Sequence, residues 1–117
     1  MEALQVSQTV MDQYSARILL GTSQHAVSAL DLSRRFGIPI AACYRRIRQL
    51  EALGLVYCEQ ALPSRNGKGL QLFRSRLRSM RIALEEGKLK ASIVLDDGHQ
   101  PVAAEQVLNL SEPHSGS

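Results

Sequence analysis

The chain has 117 residues, 44% of them apolar and only 4% aromatic, enough for about one domain with one modest aliphatic core. No apolar run is long enough to span a bilayer, and the N-terminus lacks the basic-then-apolar pattern of a secretory signal, so no membrane partner and a cytoplasmic location are expected. The net charge of +3 conceals an asymmetry: residues 31–81 hold 11 Lys/Arg against 3 Asp/Glu, a balance of +8, and the remainder stands at −5. Basic charge concentrated in this way is the electrostatic footprint of a nucleic-acid binder.

Leu4 to Leu20 reads as the first helix, with Leu4, Val6, Val10, Tyr14, Ile18 and Leu19 on one face. The apolar surplus at Leu4, Val6, Val10 and Met11 leaves two readings open, a dimer surface or cover for one core. Gly21 to Ala26 is a polar loop, and Val27 begins a short strand. Ser28 is a fitting N-cap for a helix over Ala29 to Phe36, and Asp31 places negative charge in its first turn. Gly37 ends that helix, and Pro39 introduces the next, from Ile40 to about Leu53, which stops at Gly54. Leu32, Phe36, Ile38, Cys43, Ile47, Leu50 and Leu53 form a buried stripe across the pair. The opposite face of the second helix carries Ala41, Ala42, Tyr44, Arg45 and Arg48. Small residues followed by Tyr and Arg suit close approach to a major groove, where Arg pairs with guanine edges or phosphates.

After Gly54 the period changes to two, predicting a strand over Leu55 to Ala61. Leu62 to Gly69 holds Pro63 and Asn66-Gly67 and reads as a turn. Leu70 to Leu77 returns as the second strand, so the segment is a wing with Arg65 and Lys68 near its tip, suited to backbone or minor-groove contact. The small-residue cap and acid in SALDL, the Phe36-Gly37-Ile38-Pro39 turn, the YRRIRQLEALGLV run and the Gly-bearing wing together resemble the winged helix-turn-helix transcriptional regulators, especially archaeal regulators with an ArsR-like DNA-binding domain. The resemblance covers about Tyr14 to Arg78. It implies that Ile40–Leu53 is the recognition helix and that the protein dimerises. Many such relatives carry Ser or Thr where Ala41 and Ala42 stand here.

Ser79 to Leu84 and Lys88 to Leu95 alternate on either side of Glu86-Gly87. A two-residue turn there opposes Leu84 to Leu89, Ile82 to Ala91 and Met80 to Ile93, which places all six on one face. A β-hairpin extending the wing sheet is expected. Arg74, Arg76 and Arg78 alternate along one strand face, either to meet phosphate or to pair with acids on the hairpin or tail. From Asp96 the chain turns polar. Val102 to Leu110 has the spacing of a brief helix, and the last residues favour disorder.

Cys43 and Cys58 lack metal-ligand spacing, and the three histidines are isolated, so packing is the first role for the thiols and redox or metal sensing the alternative. There is no phosphate loop, nucleophile elbow or paired-carboxylate face; neither enzymatic activity nor a cofactor is expected. The expected fold is α+β, a winged helix-turn-helix (three-helix core plus β-wing) with an additional C-terminal β-hairpin over residues 1–95, followed by a flexible tail over 96–117. The expected function is a sequence-specific regulator that binds double-stranded DNA as a homodimer. Tyr44, Arg45 and Arg48 would read bases, with Ala41 and Ala42 admitting the backbone. Arg34, Arg35 and Arg46 would approach phosphates, and Arg65 and Lys68 would act from the wing. A winged-helix module that bridges proteins is the rival.

Overall fold

The computed structural model describes residues 2–63, 69–96 and 98–109. Among these residues four helices come first, apart from one short strand: α1 (Ala3–Val10), α2 (Gln13–Gly21), β1 (Val27–Ser28), α3 (Ala29–Phe36) and α4 (Ile40–Ala52). Five described strands follow: β2 (Val56–Leu62), β3 (Leu70–Ser75), β4 (Leu77–Glu85), β5 (Lys88–Asp96) and β6 (Pro101–Asn109). This is an α+β fold with a winged helix-turn-helix at its N-terminal end, as the residue pattern predicts. Among the described residues no helix is long and apolar enough to cross a membrane.

The helix pair closes as its sequence dictates. Ser28 Oγ accepts the Asp31 N–H at 3.2 Å, which satisfies one of the orphan donors at the start of α3. Both helices end in Schellman turns on a left-handed glycine. Gly37 has φ +65° and the Ile38 N–H returns to Ser33 O. Gly54 has φ +76°, with Gly54 N–H to Glu51 O and Leu55 N–H to Leu50 O, each at 2.9 Å. The second turn drops Leu55 beside Leu50 in the core, and both are fully buried. Leu32, Ile38, Cys43 and Ile47 are buried with them, and Phe36 and Leu53 pack half-buried against that core.

The first helix departs from expectation, because it is two helices. Asp12 is extended (φ −63°, ψ 132°) and caps α2 by accepting the Ser15 N–H at 3.0 Å. A short polar side chain that bonds the backbone two or three residues on competes with continued helix. The break lets α1 turn away from the helix core and lie on β5 and β6. Ala3, Val6, Ser7 and Val10 are buried there, so Val6 and Val10 cover a core of this chain.

Two antiparallel sheets follow, in the orders β1-β3-β2 and β4-β5-β6. The wing strands pair Val56 with Ser75 through Leu62 with Leu70, with a bulge at Cys58/Gln60. The returning strand, expected to run to Leu77, stops at Ser75: Arg76 alone separates β3 from β4. The C-terminal hairpin therefore founds a sheet of its own and does not extend the wing. Its register is the predicted one, with Leu84 opposite Leu89, Ile82 opposite Ala91 and Met80 opposite Ile93. Glu86 and Gly87 both have positive φ, 52° and 73°, the signature of a two-residue type I′ turn. The expected tail or brief helix is instead β6, paired along its whole length with β5. Its alternating Val102, Ala104, Gln106 and Leu108 continue the face of Leu95, Ile93, Ala91 and Leu89, a match of pattern across strands that the segment alone does not reveal.

Candidate nucleic-acid interface

On α4, positions 41, 44, 45 and 48 fall within one third of the helix circumference, opposite the buried Cys43, Ile47 and Leu50. Ala41, Tyr44, Arg45 and Arg48 are accordingly exposed, and so is Ile40 at the leading end. Ile40 is the contact candidate that the sequence reading passed over. The resulting face is small at its N-terminal end, aromatic next and cationic beyond. Arg34 and Arg35 stand exposed in the last turn of α3, where the helix dipole favours cations. The Arg35 guanidinium lies 5.3 Å from the Phe36 ring centroid.

Two of the expected contact residues turn away from that face. Ala42 is only 8% exposed and belongs to the core, because it lies a hundred degrees round the helix from Ala41 toward the buried stripe. Arg46 turns the same way. Its Nε and Nη2 donate to the two Asp12 carboxylate oxygens at 2.8 and 3.2 Å, and its guanidinium stands 5.8 Å from the Tyr14 ring. That two-pronged bond holds the Asp12 carboxyl at about 2, below its ordinary 3.8, although partial burial opposes the shift. Arg46 thus fastens α4 to the α1–α2 corner. Arg65 and Lys68, expected at the wing tip, lie outside the described residues.

The arginines divide by what they meet. Arg46 pairs with Asp12, Arg74 with Glu59 at 3.4 Å and Arg78 with Asp96 at 3.1 Å. Among the described residues, no acid pairs with Arg34, Arg35, Arg45 or Arg48, the four on the outer face of the helix pair. Cys43 is fully buried, its thiol directed at Ala29 O, and burial pushes its pKa up. A thiol so placed stays protonated and unreactive.

Residues 10–59 match the family model of a helix-turn-helix domain. The match spans α2, β1, α3, α4 and the start of β2, the segment that carries Arg34, Arg35, Arg45 and Arg48. A helix-turn-helix points to DNA as its partner. No curated protein sequence matches the chain.

Proposed function

We propose that the protein is a sequence-specific, double-stranded DNA-binding transcriptional regulator of the winged, ArsR-like kind, with α4 in the major groove. The observation that carries this reading is the clustering of Arg34, Arg35, Arg45 and Arg48 on the helix-turn-helix face, where none has an acid partner among the described residues, whereas Arg46, Arg74 and Arg78 elsewhere each do. Arg45 and Arg48 reach base edges, Tyr44 and Ile40 offer apolar contact to a thymine methyl, and Ala41 admits the backbone. Arg34 and Arg35 meet phosphates, and the wing carries Arg65 and Lys68 toward the backbone or minor groove.

Fluorescence anisotropy of a labelled random duplex, titrated with salt, tests this. Affinity is expected to fall log-linearly with salt. Arg34→Ala should reduce the slope by about one unit for every sequence, whereas Arg45→Ala should cost about 1–3 kcal/mol at one base position of a selected site. Flat anisotropy at low salt from folded protein would overturn the DNA reading in favour of a protein-bridging module.

A second copy of the chain completes the reading. Ile82, Leu84, Val102 and Leu108 on one face of the C-terminal sheet are exposed, Leu84 by 79%. Beside them β6 is an edge strand of nine residues whose one charge is Glu105. A long edge with so little charge is a template for pairing. The dimer forms through this sheet, which sets two recognition helices on one duplex. Leu84→Glu should halve the mass seen by light scattering; an unchanged mass would place the contact elsewhere.

A further inference from the structure

Between the wing sheet and the C-terminal sheet lies a cleft of about 550 Å³, lined by Tyr57, Arg74, Arg76 and Arg78 together with Ser23 and Asp96. Its volume is that of a small-molecule site, for which roughly 300–1,000 Å³ is usual. We infer that this cleft binds a small molecule through a phosphate or carboxylate group, held by the guanidiniums of Arg74, Arg76 and Arg78.

The backbone builds the site. Arg76 is the one residue between β3 and β4. Its N–H donates to Leu55 O and its carbonyl accepts the Asp96 N–H, each at 2.7 Å, so the main chain is held between the residue before β2 and the end of β5. Tyr57 sits directly opposite Arg74 in the wing register, and directly opposed residues share a face. The neighbouring pair, Cys58 and Phe73, puts Phe73 into the helix core. Tyr57 and Arg74 therefore face away from the helices. The Arg76 guanidinium lies 4.3 Å from the Tyr57 ring centroid, a stacked arrangement that orients the fork while leaving its N–H groups available.

Charge then selects the ligand. Arg74 gives one nitrogen to Glu59 and Arg78 one nitrogen to Asp96, in pairs whose side chains are all more than a third exposed. Exposed pairs of that kind contribute little and can exchange for a better acceptor. No carboxylate among the described residues pairs with Arg76. Three forked donors on one cleft, one of them without a carboxylate partner among the described residues, fit a bidentate oxyanion. The site is at the right place to matter. Ser23 and Gln24 on its rim follow α2, and the Ser75 N–H fastens the end of β3 to Thr22 O at 3.0 Å. A ligand bridging this rim to Arg78 would fix the helix-turn-helix against the C-terminal sheet; that regulatory consequence, unlike the binding itself, rests on the DNA reading above.

The test is a titration of the full chain with sodium phosphate against sodium chloride at equal ionic strength. Amide shifts are read by NMR, and melting temperature is followed in parallel. Saturable shifts at Tyr57, Arg76 and Ser23, with a melting temperature that rises for phosphate only, are expected. Arg76→Gln should weaken the apparent affinity at least tenfold. Shifts that do not saturate, or that are equally strong in Arg76→Gln, overturn the proposal. The mapping on the unmodified protein decides the matter even if that variant fails to fold. If the same amides respond to a random duplex and not to phosphate, the cleft is a DNA contact and the small-molecule site is wrong. Saturable phosphate binding with flat duplex anisotropy would leave the site standing and remove only the DNA reading.

Discussion

Gly21 shows how closely the helix-turn-helix is packed. A Cβ built there would stand 2.7 Å from Phe36 Cε2 and 2.8 Å from Leu32 Cδ2. Leu32 is fully buried and cannot retreat without disturbing the core. Helix propensity alone would favour alanine over glycine by up to about 1 kcal/mol, whereas overpacking a tight site costs about 1–3 kcal/mol. The second effect wins, because two neighbours must move together. Gly21→Ala should therefore lower stability by about 1–2 kcal/mol in a denaturant melt; an unchanged or higher midpoint would show that Phe36, half-buried, gives way without cost. At Gly37 the arithmetic differs, since no atom lies within 4 Å of a built Cβ and only the positive φ matters. The sequence announces Gly37 through its place after Phe36. It does not announce Gly21, whose role comes from a contact fifteen positions away.

At the scale of elements, legibility followed locality. Ser28, Gly37, Pro39 and Gly54 are signals read within one turn of chain, and they bounded α3 and α4 correctly. The hairpin register was legible too, because alternation on both sides of Glu86-Gly87 admits one pairing. The α1–α2 break was not, although Asp12-Gln13-Tyr14-Ser15 is a cap sequence in plain sight, because apolar spacing runs straight across it. The bond of Arg46 to Asp12 is hidden in the sequence for the same reason: its acid partner lies at that corner. Asp12 does two jobs, capping α2 and anchoring α4, and substitution separates them. Asp12→Asn keeps the cap, since Asn serves as well, and loses an exposed ion pair worth at most about 1 kcal/mol. Asp12→Ala loses the cap as well, about 0.5–2 kcal/mol more. The folded pKa of about 2 lies below the ordinary 3.8, so the stabilisation is complete above that ordinary value and vanishes as pH falls toward 2. Melting curves between pH 5 and pH 2 (on the order of the window set by these two values) should show a stability loss in the unmodified chain that Asp12→Asn lacks; identical profiles would refute the anchor.

The whole molecule is elongated, 60 × 32 × 24 Å, with a Cα radius of gyration of 16.6 Å where a compact chain of this length would have about 13 Å. Its two lobes, helix-turn-helix with wing and C-terminal sheet, meet at Arg76 and through α1. The first helix of the chain closes on the last strand: the Leu4 N–H donates to Gln106 Oε1 at 3.0 Å, and Val6 is buried on the same side as Ala91 and Ile93. Such contacts between α1 and β6 lie beyond a segment-by-segment reading, because the apolar face of α1 and the alternation of β6 each show that something covers them but not which element does. They also make α1 the element that decides whether the lobes unfold together. Ile93 is 1% exposed, and Ile93→Ala should cost about 2–4 kcal/mol by the cavity it leaves. If α1 couples the lobes, the slowest-exchanging amides of α4, at Ile47 and Leu50, lose protection by the same factor as those of β5, because both open only in global unfolding. Loss confined to β5 and α1, with α4 unchanged, would show instead that the helix-turn-helix is held by its own core and that the C-terminal sheet opens as a separate unit.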